Sequence, residues 1–300
     1  GLQANGRVGV TGEGGSKDYV ASVIGGGRFV DGRGSVTLGV AYQRVEPLRT
    51  LQRRFYRENG DITLSANPKN TGPKDGIFDQ IVYTDAVFPA YAYDGVFALG
   101  GKRYVVDQGQ LRLTRHDAAP NGVFGSVAQG GDGYNNVDFD YLRRQVQTVS
   151  AIGRLGYEVA DDMRLFVDFE YANKRANSPG VGDFDLGSTI RIDNPFVPQA
   201  LRDLMIDNGV QQITVTRSSR DQGVRNDRTD ADVLTVAGGI EGHLDNGWSY
   251  TAFAQHGSYR QNTQTTGRRI AARYAEAIDV ISDPVTGDPV CRSATARAAG

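Results

Sequence analysis

The chain has 300 residues, with 33 basic against 35 acidic side chains and a net charge of -2. The two signs are interspersed, so it lacks the one-signed field that recruits nucleic acid or an anionic surface, and no nucleic-acid partner is expected. Apolar residues, glycine not counted, make up 39%, while 39 glycines and 14 tyrosines favour strands, turns and aromatic rows over helices.

Residues 2–11 alternate Leu2, Ala4, Gly6, Val8 and Val10 with Gln3, Asn5, Arg7, Gly9 and Thr11, the period of two that a strand imposes on its side chains. After GEGGSK, residues 18–30 repeat the pattern less cleanly, with Tyr19, Ala21, Val23, Gly25 and Phe29 on the apolar side. The turn Asp31-Gly32-Arg33-Gly34 leads into 35–44, where Val36, Leu38, Val40 and Tyr42 oppose Ser35, Thr37, Gly39, Ala41 and Gln43. Residues 45–143 break this rhythm with Pro47, Pro68, Pro73, Pro89 and Pro120 and only short strand-like pieces such as 102–115; loops of this length are usually functional.

Strands return at 144–158 and 162–172, joined by a minimal turn at Ala160 and Asp161. In the second, Met163, Leu165, Val167, Phe169 and Tyr171 oppose Arg164, Phe166, Asp168 and Glu170. The stretch 173–229 reads as irregular, with a short helix at 198–205. Residues 230–244 and 248–260 read as a hairpin through Asp245-Asn246-Gly247, a strong tight-turn signal. The pattern in 248–260 leaves open whether the Tyr250 or the Phe253 face turns outward.

Short turns follow the second, fourth and sixth strands, and long loops follow the third, fifth and seventh. That parity is the signature of an outer-membrane barrel, and the fold class expected is all-β, an antiparallel transmembrane meander. A soluble sandwich, which would bury the Val/Leu faces against a second sheet, is the other arrangement compatible with the alternation. No apolar run reaches the ~18 residues of a transmembrane helix. With Gly at position 1, the chain is expected to be either a processed mature protein or an internal piece of a longer one.

Catalytic and metal motifs are not expected. GVTGEGGSK (9–17) holds the letters of a phosphate loop in the wrong order. His116, His243 and His256 lack metal-ligand spacing. GDFDLG (182–187) and KDGIFD (74–79) carry carboxylates without a full calcium ligand series. No Ser/His/Asp or Cys/His set can be assembled, so neither an enzyme nor a cofactor is expected. The single cysteine, Cys291, is either a lone surface thiol or half of a disulfide.

The segments VDGRGSVTLGVAYQR, DNPFVPQALRDLM, ITVTRSSRDQGVRNDR, TVAGGIEGHLDNGWSYTAFAQHGSY and AIDVISDPVTGDPVCRS, in this order, resemble the barrel portion of TonB-dependent outer-membrane receptors, from about residue 2 to the end. The resemblance implies a barrel of about 22 strands around a plug in the outer membrane of a Gram-negative bacterium. It also implies import of a scarce bulky nutrient, siderophore-bound iron, cobalamin or a saccharide, with energy delivered by the TonB complex through the plug. The plug and the C-terminal strands are missing, so residues 1–300 are expected to be a partial barrel domain. Its strands are placed near 2–11, 18–30, 35–44, 144–158, 162–172, 230–244 and 248–260, and its external loops at 45–143, 173–229 and 261–300.

On this reading Val36, Leu38, Val40 and Tyr42 face outer-membrane lipid, and Arg7, Arg164, Asp168 and Glu170 face the lumen. The nutrient is met by exposed side chains of the loops: Tyr91, Tyr93, Tyr134, Arg217, Arg220, Arg225 and Arg268. The resemblance also makes Cys291 a disulfide half whose partner follows it in the same loop. Two other functions share the strand pattern: a passive porin or autotransporter-type barrel, and a secreted soluble β-sandwich that binds a ligand or acts as an adhesin.

Overall fold

The computed structural model describes residues 1–117 and 127–294; parts of the expected loops 45–143 and 261–300, Pro120 among them, lie outside the described residues. The fold is mostly antiparallel β-structure in two compact units. The first unit, built from Gly1–Gln52, Tyr141–Pro179 and Asn226–Thr266, is organised around one seven-stranded sheet. Its strands are β1 (Leu2–Val10), β2 (Lys17–Phe29), β3 (Gly34–Val45), β4 (Gln145–Ala160), β5 (Met163–Pro179), β6 (Asn226–His243) and β7 (Ser249–Thr266). They lie side by side in chain order, each antiparallel to the next, and the sheet does not close.

Register decides which side chains share a face, because directly opposed residues project to the same side. Leu38 lies opposite Gly25 and Gly153, Gly153 opposite Phe169, Phe169 opposite Val236, and Val236 opposite His256. Following the same rows gathers Leu2 to Val10, Val36 to Tyr42, Met163 to Tyr171 and the even-numbered residues of β6 on one face. This face also takes Tyr250, opposite Gly242, while Phe253, opposite Gly239, falls on the other. The apolar face is open: Leu38 is 64% and Val40 59% exposed.

The apolar rows end in aromatic residues at both ends. Toward the long loops Tyr19, Tyr42 and Tyr171 give way to Lys17, Arg44 and Asn173; toward the short turns stand Phe29, Tyr157 and Tyr250. The Phe29 ring lies over Gly34 of the neighbouring strand, where an added Cβ would fall 2.3 Å from a ring carbon. Arg33, in the turn after β2, donates to the carbonyls of Glu158 (3.0 Å) and Val159 (3.0 Å) and lies over the Tyr157 ring. It thereby ties that turn to β4.

The opposite face is polar and ion-paired. Arg154 sits 3.4 Å from Asp168 and Arg164 3.1 Å from Glu241, and Arg164 also donates to Ser35 Oγ at 2.9 Å. This network crosses four strands, β3 to β6, and opposite charges so placed favour the observed register.

Three strands run past the spans that the alternation suggests: β5 continues to Pro179, β6 begins at Asn226 and β7 reaches Thr266. The added length is polar, so it carries no hydrophobic period. Cross-strand hydrogen bonds hold it instead, with Tyr171 donating to Asp232 (2.8 Å), Asn173 to Asp230 (2.7 Å) and Arg175 paired with Asp230 (3.0 Å).

The second unit takes residues from three separate stretches, Arg53–Asp140, Gly180–Arg225 and Gly267 onward. Its five-stranded sheet has the order Gln110–Leu113, Lys102–Asp107, Val96–Leu99, Gln212–Ser218, Phe184–Arg191. Strands from the first and second long loops therefore pair with each other. The helix Gln199–Asp207 follows Pro198, whose fixed φ suits a helix start. Leu201 and Met205, one turn apart on a single face, enter a core with Phe97, Val197 and Ile213. The long loops thus carry a core of their own, which the reading of 45–143 and 173–229 as irregular did not anticipate. A further helix at Ala271–Ile278 lies within the expected loop 261–300.

Candidate functional site

The second unit concentrates six aromatic rings within a short distance of one another. Phe88 and Tyr134 form an isolated antiparallel bridge, Phe88 N donating to the Tyr134 carbonyl at 2.8 Å. Pro89 then starts a short 3-10 turn that carries Tyr91. Asn135 caps a second such turn by accepting from Val137 N at 3.1 Å, which places Asn136 and Asp138. The Tyr134 ring stacks on Phe139 (5.9 Å between centroids) and meets Phe184 edge-on at 5.1 Å, and Tyr91 meets Phe184 edge-on at 5.2 Å. Offset and edge-on pairs of this kind are the preferred aromatic geometries.

Between these rings lies an open cavity of about 240 Å³ lined by Phe88, Tyr91, Tyr134, Asn136, Phe184 and Leu186. Tyr134 is its floor, only 1% exposed, whereas Leu186 on the rim is 76% exposed. Asn136 Nδ2 donates to Asp61 at 3.1 Å. Since a carboxylate can only accept, this fixes the amide orientation and leaves Oδ1 as the acceptor. The lining contains no cation.

Beside the cavity, the Tyr93 hydroxyl donates to Asp138 at 2.5 Å and the Arg220 guanidinium lies 3.8 Å above the Tyr93 ring. Burial first, then the hydrogen bond to Asp138, raises the Tyr93 phenol well above its ordinary pKa; burial and the charges of Asp138 and Asp140 do the same for Tyr134. Both phenols stay neutral throughout the physiological range.

A second constellation surrounds Asp185, which is 1% exposed. Its carboxylate pairs with Arg269 at 2.5 Å and accepts from Tyr274 (2.8 Å), Ser188 (3.0 Å) and Ser219 (3.1 Å). This buried charge is fully engaged and ties the strand Phe184–Arg191 to the helix Ala271–Ile278. Asp183 pairs with Arg225 at 3.9 Å and accepts from Arg269 N at 2.9 Å. The GDFDLG carboxylates therefore serve arginines, and in KDGIFD Asp75 accepts from Thr71 N and Ile77 N, both at 2.8 Å. Among the described residues no group of His, Cys, Asp and Glu is arranged to hold a metal ion.

Of the loop residues expected to meet ligand, Tyr91, Tyr93, Tyr134 and Arg220 come together at the aromatic cluster. Tyr134 differs from the expectation of an exposed contact, because the rings around it enclose it. Arg217 is engaged by Asp221 and lies 3.9 Å from Asp185, Arg225 also donates to the Val181 carbonyl, and Arg268 is exposed apart from the cluster. Arg7, Arg164, Asp168 and Glu170 share the polar face of the seven-stranded sheet. Cys291 is a free thiol, half-buried in the hairpin of Val280–Ser282 with Pro289–Cys291.

Sequence reasoning missed Phe88, Phe184, Leu186, Asn136 and Asp185. A signal was present in GDFDLG, where Phe184 and Leu186 alternate with carboxylates as in a strand; treating the segment as part of an irregular, solvated stretch hid it. Comparison with protein-family models, curated proteins and solved structures gives no match. No helix among the described residues is long and apolar enough to cross a membrane.

Proposed function

We propose that this chain is part of an outer-membrane active-transport receptor of the TonB-dependent kind. In this reading β1 to β7 are a stretch of barrel wall, and the unit built by the long loops captures a scarce nutrient for energised import. One observation carries it: seven strands align their apolar faces into a single uncovered band edged by aromatic residues, over a polar face laced with ion pairs. From Met163 to Tyr171 the band runs about 26 Å along the strand. At a tilt of about 40° this becomes roughly 20 Å across, close to the apolar belt of a membrane barrel. A soluble sandwich would cover Leu38 and Val40 with a second sheet; their exposure weighs against it. The folded loop unit with its own core favours a receptor over a passive pore, which needs only an open lumen.

The reading is tested in the whole protein by placing lysine on each face at matched depth. Val167→Lys, on the apolar face, is expected to cost about 2 to 4 kcal/mol and lower the amount of heat-modifiable protein assembled in the outer membrane, as charge does on a lipid face. Ala151→Lys should behave likewise, and Ser150→Lys on the polar face should assemble normally. Equal tolerance on both faces would overturn the assignment. Nutrient uptake that stops when the proton-motive force is dissipated separates energised import from a passive pore.

A further inference from the structure

The aromatic cavity of the loop unit has the chemistry of a site for one particular kind of ring. Its walls are the half-buried faces of Phe88, Tyr91 and Phe184 and the exposed Leu186 side chain, above a floor of Tyr134. Its polar contribution beyond the phenols is the Asn136 carboxamide, which is oriented by one Nδ2 hydrogen bond to Asp61 and whose Oδ1 accepts from no described residue. Such a lining takes a ring with an apolar face to lie against the aromatics and a hydroxyl donor at its edge.

Charge narrows the choice. No Lys or Arg lines the cavity; Arg220 is held over Tyr93, and Arg225, whose charge reaches Tyr134, is engaged by Asp183 and the Val181 carbonyl. The carboxylate of Asp61 stands directly behind Asn136, and Asp138 stands behind Tyr93. An anionic chelate, such as a ferric complex of catecholates or carboxylates, would be desolvated here with no cation in the lining to pair with it and with the charges of Asp61, Asp138 and Asp140 outnumbering that of Arg225 around Tyr134. A volume of about 240 Å³ holds a single ring, with the rest of a longer molecule outside the rim.

We propose that this cavity binds one pyranose ring of a neutral oligosaccharide, its C–H face on Phe88, Tyr91 and Phe184 and one hydroxyl donating to Asn136 Oδ1. This rests on the transport reading for its biological meaning, but its chemistry belongs to the loop unit alone.

The test uses the entire protein purified from outer membranes in detergent. It measures binding by saturation-transfer NMR and calorimetry to neutral disaccharides and tetrasaccharides of glucose, galactose, mannose and xylose. Ferric tris-catecholate and ferric citrate are the contrasting probes. At least one neutral sugar series should bind, with the terminal or penultimate ring protons giving the strongest transfer. Tyr91→Ala should weaken binding tenfold or more. Leu186→Ala, in which a side chain exposed to solvent is shortened and folding is not at stake, should weaken it threefold or more. Binding of the ferric chelates alone, absence of binding by every neutral series, or sugar affinity unchanged in both variants would overturn the proposal. Sugar binding by a protein that fails the lysine test for membrane insertion would leave the cavity assignment standing and the transport reading fallen.

Discussion

At the residue scale the most consequential group is Asp185, a carboxylate sealed inside the loop unit, paired with Arg269 and more distantly with Arg217, and accepting from one tyrosine and two serines. Removing one member of a buried ion-paired network leaves the others charged and unpaired, which costs more than the pair itself contributes. Asp185→Ala is therefore expected to destabilise the second unit by about 3 to 5 kcal/mol. The cleavage rate in 180–225 and 267–294 under mild proteolysis should rise sharply while β3 to β5 stay protected. Asp132 offers a pH-dependent counterpart. Burial acts to raise its pKa, but hydrogen bonds from Arg112 (2.6 Å) and from Arg115 N (2.7 Å) outweigh it, and the net value is lowered. A carboxylate lowered on folding stabilises the fold above its unfolded pKa, and that contribution is lost as pH falls through the folded value. The hairpin of Lys102–Asp107 with Gln110–Leu113 should loosen only below about pH 4, followed by amide exchange. Asp132→Asn should remove that acid-dependent step and leave the hairpin weaker at neutral pH.

At the scale of elements, the faces of the strands were legible and their ends were not. Alternation in Val36 to Tyr42 and in Met163 to Tyr171 records which side chains share a side, since the pleat has period two whatever the surroundings. The face of β7 was illegible because both of its sides are mixed; only pairing with Ile240 and Gly242 puts Ala252 and Tyr250 with the apolar rows. Strand ends were lost where Asn173, Arg175, Asp230 and Asp232 replace apolar residues and the ladder continues on polar pairs. If those pairs hold the extension, Asp230→Ala should let the upper ends of β5 and β6 fray. These pairs are exposed to solvent, which screens them, so the effect is local. Amides of 173–179 and 226–232 should exchange several-fold faster, and those of 163–171 should not change. Exchange that accelerates along the whole of β5 would instead make Asp230 part of the sheet's overall stability.

At the scale of the whole molecule, the second unit shows why so much of the candidate site lay beyond sequence reasoning. Val96 and Phe97 pair with Thr216 and Val215, and Phe184 meets Tyr134, contacts between stretches that are separated by whole strands of the other unit. No local period records such a meeting, whereas in the seven-stranded meander the pairs β1–β2, β2–β3, β4–β5 and β6–β7 are each announced by the short connection between them. The meander carries its own constraint. Its outer strands, β1 and β7, each have one edge without a neighbouring strand among the described residues, and unpaired backbone groups are too costly to leave within a bilayer. If the band faces lipid, both edges must be paired in the membrane-embedded protein. Hydrogen exchange tests this in two preparations. In native outer membranes, amides of 2–10 and 249–258 should be protected as strongly as those of β4. In the 300-residue chain held alone in detergent, every second amide of β1 and β7 should exchange within minutes, with β3, β4 and β5 remaining slow, or the chains should associate edge to edge. Rapid exchange of both outer strands in the native membrane would mean that the sheet lies open there, and a sheet with open edges is not a membrane wall.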